Sequence, residues 1–148
     1  MTEWKSREKA GVFRTKIIVS TEAEGSATNI TTEVLDAVKQ AKIKNGMVNV
    51  FSVGATGAVI STENEAGLFE DLREAMKRMF PKEGFYKHEM AWQDGNAHSH
   101  LKASILGPEL TIPIIEGELG TGVWQQIVLL NNDTRDRKRK IIVTVIGV

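Results

Sequence analysis

Runs of residues typical of β-strands occupy both ends of this chain, and two helical patterns lie between them. Segments 12–20 and 141–146 are rich in β-branched residues, which favour strands. Four more strands are predicted, at 47–53, 58–62, 110–115 and 122–130. Because strands outnumber helices and do not alternate with them one by one, the pattern excludes a repeated βαβ unit. It favours an α+β fold in which the last three strands form a meander.

Two amphipathic helices are predicted within this frame. In the first, Val34 and Val38 belong to an apolar stripe at helical spacing, and Asn45-Gly46 supplies the left-handed residue that ends it. The second spans about 67–79, and the proline two residues later ends it. Segment 84–100 shows neither pattern and is predicted to be irregular.

Size and composition restrict the class of protein. The 148 residues predict one domain, 1–148, and the 19 basic and 19 acidic residues cancel to a net charge of zero. A neutral chain is not expected to bind nucleic acid or an anionic membrane surface. There is no apolar run of the ~20 residues needed to span a bilayer. Residues 1–9 are charged rather than apolar like a secretory signal, so we expect a cytoplasmic protein.

The three histidines of the chain lie close together in sequence. His98 and His100 are two residues apart, and His88 lies just upstream. In an extended segment, side chains two residues apart point the same way, so this pair can chelate an ion only if the segment is not helical. The chain has no cysteine, so a transition metal would need imidazole and carboxylate ligands. Three imidazoles with an open fourth position are typical of catalytic zinc.

The histidines have other interpretations, and several polar residues are candidate partners. The alternatives are that the three imidazoles are loop side chains with ordinary hydrogen bonds, or that they act as acid–base groups without a metal. Carboxylates that could orient or ligate are Glu63, Asp94 and Glu89. Gln125 is a further catalytic candidate: strand alternation puts it on the face opposite Trp124, and its amide would need partners if that face is buried.

Two segments are candidate anion sites. The small-residue loop 54–57 contains Thr56 and would expose backbone N–H groups, although it lacks the lysine of a P-loop. The basic run 135–140 contains Arg135 and Arg137, and arginine can hold a phosphate group with two hydrogen bonds. The alternative for loop 54–57 is a plain tight turn, and the alternative for 135–140 is a solvent-exposed start of a strand whose charges protect a sheet edge.

Several short motifs then occur in a fixed order along the chain. They are Gly54-Ala55-Thr56-Gly57-Ala58, Tyr86-Lys87-His88, Asp94-Gly95-Asn96-Ala97-His98-Ser99-His100-Leu101, Gly107-Pro108, Thr111-Ile112-Pro113 and Gly122-Val123-Trp124-Gln125-Gln126-Ile127. In this combination the chain resembles the YjbQ-like family, whose members are often described as secondary thiamine-phosphate synthases. The resemblance covers nearly the whole chain.

The resemblance implies a fold, an assembly and a site. It implies a mostly antiparallel sheet curled into a half-barrel or sandwich with two main helices, in a homotrimer. It implies a site around His88, His98 and His100, and a reaction that joins a pyrimidine pyrophosphate to a thiazole phosphate. The chain departs from the family pattern at Val123, where threonine is usual. It also departs at 54–56, where many members have His-Thr-Thr, so a fourth family histidine is absent.

Three functions follow from these patterns. The first is an enzyme that depends on a divalent metal, expected to be zinc, acts on a small phosphorylated substrate and has thiamine-phosphate synthase as a side activity. The second is a non-catalytic trimeric protein that binds a metal or a small anion. The third is a structural histidine cluster at a subunit interface.

Overall fold

A computed structural model describes residues 9–148, so the first eight residues used in the prediction of localisation lie outside it. The strands are β1 (Gly11–Thr21), β2 (Ser26–Asn29), β3 (Gly46–Val53), β4 (Gly57–Thr62), β5 (Glu109–Ile115), β6 (Glu118–Leu119), β7 (Gln126–Asn131) and β8 (Arg137–Gly147). The helices are α1 (Thr31–Ala41), α2 (Ala66–Met79), α3 (Lys87–Trp92) and α4 (Ala97–Leu106). None of these helices has the length and apolar character needed to cross a bilayer.

The strands form two antiparallel sheets, which confirms the predicted α+β class. The five-stranded sheet has the order β1-β8-β3-β5-β6 and curls into a half-barrel, and the three-stranded sheet has the order β2-β7-β4. The predicted meander of the last three strands is wrong. β8 inserts between β1 and β3, and β7 belongs to the other sheet, because each strand pairs where its apolar face can be covered.

The main core lies between the two sheets and α1. Alternate residues of β8, such as Ile141 and Val143, are fully buried there, opposite Ile127 and Leu129 of β7. Helix α1 adds the predicted stripe, with Val34 among its buried residues. Burying a side chain of this kind contributes roughly 1.5–3 kcal/mol, so this cluster holds the sheets face to face.

A smaller cluster lies on the other face of the three-stranded sheet. Val128 and Leu130 are buried there, and Phe69 and Leu72 of α2 and Leu106 of α4 pack against it. Helices α2 and α4 therefore cover the outer face of this sheet. This arrangement places α4 beside the loop that joins β3 to β4.

The segment 84–100 is mostly helical, so the prediction that it is irregular is wrong. It contains α3 and the first part of α4, joined by a short turn. Two element ends also differ from prediction. Lys42, with φ 56°, ends α1 in place of Asn45-Gly46, and β7 begins at Gln126 rather than at Gly122.

Candidate functional site

The turn between α3 and α4 is built around one carboxylate. Glu89 accepts hydrogen bonds from the backbone N–H of Gly95 at 2.6 Å and of Ala97 at 2.8 Å. These N–H groups are free at the start of α4 and would otherwise lack partners. The bond from Ala97 is the main cause that holds the pKa of Glu89 below its usual value. Glu89 thus orders the turn and does not contact an imidazole ring as an orienting carboxylate.

Helix α4 separates His98 from His100. Side chains two residues apart on a helix diverge by roughly 200°, at ~100° per residue. Chelation by this pair requires an extended segment, and the segment is helical, so the prediction that His98 and His100 share an ion is not met within the chain. His98 is 1% exposed, and its Nε2 lies 3.5 Å from Glu24 Oε1 without forming a hydrogen bond. Burial, followed by the nearby charge of Lys102, lowers the pKa of His98.

His100 faces the opposite way, toward the loop between β3 and β4. Its Nδ1 lies 3.1 Å from the carbonyl oxygen of Ala55. Because a carbonyl oxygen only accepts, Nδ1 carries the proton, and in the neutral ring Nε2 has a free lone pair. The site therefore presents the nitrogen of His100 that can accept a proton from a bound molecule.

His88 packs against His100 from α3. The ring centroids are 5.1 Å apart, and the ring planes meet at 74°. His88 Nε2 lies 3.2 Å from Asn96 Oδ1 and 3.5 Å from Asp94 Oδ1, so the turn orients this imidazole from one side. Asp94 therefore lies beside a histidine, as predicted, and that histidine is His88. The neighbour of His100 is thus His88 of α3 and not His98, which the sequence spacing had indicated.

The three histidines do not form one donor set within the chain. His88 and His100 share one side of α4, while the ring of His98 is buried beside Glu24 on the other. Across residues 9–148, no group of three or more His, Asp or Glu side chains is placed to hold a metal ion. A zinc site with all three imidazoles as ligands therefore does not fit the arrangement of residues 9–148.

A buried arginine lies beneath the 54–57 loop. Arg139 is 5% exposed, and its Nη2 donates to Thr56 Oγ1 at 2.7 Å and to Asn131 Oδ1 at 2.5 Å. Its Nε has no partner in the described part of the chain. Its Nη1 faces the loop, because a Cβ added at Gly54 would lie 3.2 Å from that atom. The guanidinium thus offers unused donors toward the loop.

Asp133 holds this arrangement in place. It accepts from Thr56 Oγ1 at 2.8 Å and from Arg137 Nε at 3.0 Å. Burial raises the pKa of Asp133, but the hydrogen bonds from Thr56 and Arg137 outweigh it and leave the pKa below its usual value. A charged Asp133 therefore keeps both arginines at this end of β8.

These groups line one open cleft of about 380 Å³, within the roughly 300–1,000 Å³ typical of small-molecule sites. The lining comes from the 54–57 loop, the α3–α4 turn and the start of β8. Three cationic side chains, Arg137, Lys138 and Arg139, border it on one side, and His100 borders it on the other. The cleft can therefore hold an anion next to an imidazole.

Other predicted site residues lie elsewhere. Glu63 and Gln125 are exposed at the far end of β4, about 17 Å from the loop at ~3.3 Å per residue. Gln125 is bonded to Ser61 rather than buried. Arg135 is exposed on the turn and does not line the cleft. Thr56 does line the cleft, but its hydroxyl is already used within the network.

Arg139 belongs to the predicted basic run, but sequence reasoning did not select it as a site residue. It lies two residues before Ile141, and strand alternation puts these side chains on the same buried face of β8. An arginine in register with a core face needs partners. That register was the signal that could have identified it.

Comparison with known proteins places the chain in a family. The family model for UPF0047 protein YjbQ-like matches residues 15–148. A UPF0047 protein of Methanothermobacter thermautotrophicus is 34% identical over 136 residues, covering 92% of this chain and 93% of the relative. One from Archaeoglobus fulgidus is 36% identical over 115 residues, covering 75% of this chain and 89% of the relative.

Solved structures share the fold. A YbjQ-like protein of unknown function from Sulfolobus solfataricus P2 superposes with a TM-score of 0.90 at 35% identity, covering 95% of this chain and 100% of that one. A YjbQ/UPF0047 family protein from Clostridium acetobutylicum superposes with a TM-score of 0.82 at 31% identity, covering 88% and 98%. The family resemblance read from the sequence motifs is therefore confirmed.

Proposed function

The chain belongs to the UPF0047 YjbQ-like family, and from that premise we propose that it is an enzyme that acts on a small phosphorylated substrate. The observation that carries the proposal is Arg139. A guanidinium buried to this degree, with Nε unpartnered and Nη1 facing an open cleft, has donors that an anion would satisfy. Arg137 and Lys138 add positive charge at the cleft wall.

His100 supplies the chemical group beside this anion site. Its hydrogen bond to Ala55 fixes the tautomer, so Nε2 can accept a proton from a substrate N–H or O–H group while the bond to the leaving group breaks, and can return that proton to the product. His88, in contact with the ring, limits its rotation and stabilises one orientation. The thiamine-phosphate reaction implied by the family resemblance fits this arrangement, because cations would stabilise the departing pyrophosphate.

A non-catalytic small-anion-binding protein is the second candidate. The same cleft supports it, because all of the cationic groups would serve binding without chemistry. The role of His100 separates the two candidates. In an enzyme its replacement removes turnover and leaves anion affinity, whereas in a binding protein there is no turnover to remove.

A homotrimer is part of the proposal, and the convex face of the five-stranded sheet supports it. Val12, Ile146 and Met47 are neighbours across three strands on that face, and they are 66%, 41% and 50% exposed. A contiguous apolar row of this kind is typical of a subunit contact. Sedimentation equilibrium of the full chain tests the trimer, and a monomer at all concentrations contradicts it.

The predicted zinc ion stays a prediction that metal titration of tag-free protein tests. His88 and His100 are two adjacent imidazoles, fewer than the three protein ligands typical of catalytic zinc. A site completed by a neighbouring subunit would bind zinc with one equivalent per chain. Absence of binding on titration contradicts the metal.

Calorimetric titration with inorganic phosphate and pyrophosphate tests the anion site. We expect Arg137→Gln to weaken pyrophosphate binding about tenfold, since a charge-assisted hydrogen bond contributes roughly 1.5–3 kcal/mol. Arg135→Gln is the matched control, because Arg135 lies in the same basic segment but does not line the cleft. Equal effects of the two substitutions contradict the placement of the site.

Turnover of the two phosphorylated thiamine precursors tests the chemistry. His100→Gln is expected to lower the rate by about 10²–10⁴-fold, the usual contribution of a general acid–base group. His98→Gln is the control on the other side of α4. Undiminished turnover after loss of His100 would show that the chemistry lies elsewhere.

A further inference from the structure

An open apolar recess of about 350 Å³ lies beside the 54–57 loop. Phe51 of β3, Ala103 of α4 and Pro108 before β5 form its apolar walls, and the loop completes the lining. The side chain of Phe51 is 38% exposed, so its ring is available to a bound molecule. Among residues 9–148, no lysine, arginine, aspartate or glutamate lines the recess. The recess therefore differs in character from the arginine-lined cleft.

The recess and the cleft are continuous. Gly54, Ala55 and His100 line both spaces. Gly54 has φ 119°, a conformation that favours glycine, so no side chain stands between the two spaces at this position. A Cβ there would lie 3.2 Å from Arg139 Nη1. One molecule can therefore extend from the buried guanidinium, past Gly54, into the recess.

The side chains of the recess offer few hydrogen bonds to a ligand. Ser104 supplies the hydroxyl of the described lining, and its Oγ already donates to the carbonyl oxygen of His100 at 2.7 Å. The carbonyl oxygen of Ala55 already accepts from His100 Nδ1. A ligand group with several hydroxyls would lose water in the recess without gaining side-chain partners, which costs free energy. The lining therefore favours an apolar group over a hydroxylated one.

We propose that the recess holds the organic part of the substrate, and that this part is a compact apolar group rather than a sugar. The inference rests on the proposed function, because it assigns the other end of the same phosphorylated molecule. The phosphate contacts Arg137 and Arg139, and the apolar group lies against Phe51 and Pro108. A molecule that spans both spaces has its ester linkage beside His100. The substrate class is thus a phosphate monoester of an apolar alcohol.

Calorimetric titration of the full chain with three phosphates tests the proposal. Isopentyl phosphate and ribose 5-phosphate have the same number of carbons, but only the sugar carries hydroxyl groups, and inorganic phosphate has no organic part. We expect isopentyl phosphate to bind at least about tenfold more tightly than inorganic phosphate, a factor equivalent to burial of about two methylene groups. Ribose 5-phosphate should bind no more tightly than inorganic phosphate.

The outcomes separate this inference from the proposed function. Equal affinities for all three compounds, or a preference for the sugar phosphate, overturn the assignment of the recess and leave the anion site in place. Absence of binding by all three contradicts the anion site itself, and the inference that rests on it is overturned too.

Two variants test the recess through the ratio of isopentyl phosphate affinity to inorganic phosphate affinity. Phe51→Ala removes a wall, and Ser104→Phe, at an exposed position of α4, fills the space. Each should lower the ratio about fourfold or more, the equivalent of one buried methylene group. Phe85→Ala is the matched control, because Phe85 is 84% exposed and lines neither space.

An unchanged ratio in both Phe51→Ala and Ser104→Phe overturns the proposal. Sedimentation equilibrium of Phe51→Ala gives a second readout. Loss of an oligomer that the wild type forms would show that a neighbouring subunit covers the recess, and that result also overturns the proposal.

Discussion

The two faces of α4 present the same residue type to opposite environments. His100 faces an open cleft, where the carbonyl of Ala55 fixes its proton on Nδ1. His98 is buried beside Glu24, with its Nε2 lacking a hydrogen bond. One imidazole is therefore available to a ligand, and the other is an internal group with a lowered pKa.

The difference shows how helical geometry assigns roles that spacing alone cannot. A spacing of two residues is one face of a strand but two faces of a helix. The pair that sequence reasoning joined is therefore divided between two faces of α4, and His88 rather than His98 lies against His100.

The largest expected effect is on the cleft side, for Arg139→Met. Removing this cation leaves Asp133 and Asn131 with fewer partners in a buried position. Breaking a buried charged pair typically costs about 3–5 kcal/mol, so we expect a free energy of unfolding lower by about 3 kcal/mol. Urea denaturation measures this change.

Lys140→Met is the control for that measurement. Lys140 is the next residue of β8, and its side chain is exposed on the other face of the strand. Its replacement should change stability by less than about 0.5 kcal/mol. A comparable loss in both variants would mean that the Arg139 network does not stabilise this end of β8.

The pH dependence of stability separates the two histidines. The pKa of His98 is lowered in the folded chain, so the unfolded chain takes up that proton first as pH falls. The stability it contributes is therefore complete above its ordinary pKa of about 6.5 and is lost as pH falls toward the folded pKa. Urea denaturation at a series of pH values should show this loss in the wild type.

His98→Met should flatten that slope and His100→Gln should not. At neutral pH the free energy of unfolding of His98→Met should lie within about 1 kcal/mol of the wild-type value, because the substitution removes an unpartnered polar atom along with the ring. If both variants keep the wild-type slope, the pH dependence does not arise from His98.

The smallest expected effect is at the turn that joins α3 to α4. Gln93 has φ 54°, a left-handed conformation that glycine adopts more readily. Gln93→Gly should raise the free energy of unfolding by up to about 1 kcal/mol. This is a net gain, because relief of the left-handed strain exceeds the cost of the more flexible unfolded chain. Thermal unfolding measures the gain. Asp94→Gly, at the neighbouring exposed position, is the control and should give none.

The α+β class, the strand β1 and the apolar stripe of α1 were predictable, because periodicity reports which face of an element is buried. The arginine side of the cleft was partly predictable, since Arg137 belongs to the basic run and Arg139 lies in register with the core residues of β8. Helices α3 and α4 were not. Their turn depends on Glu89 meeting N–H groups six and eight residues later, which no short pattern encodes.

The sequence by itself determined which chemical groups exist: three imidazoles, a basic run, no thiol, and family motifs along most of the chain. Only the tertiary structure decided which of them meet. His100 contacts Ala55 across 45 residues, and Arg139 contacts Thr56 across 83. Such contacts depend on which strands pair, and that choice follows from burying whole apolar faces rather than from any local run of residues.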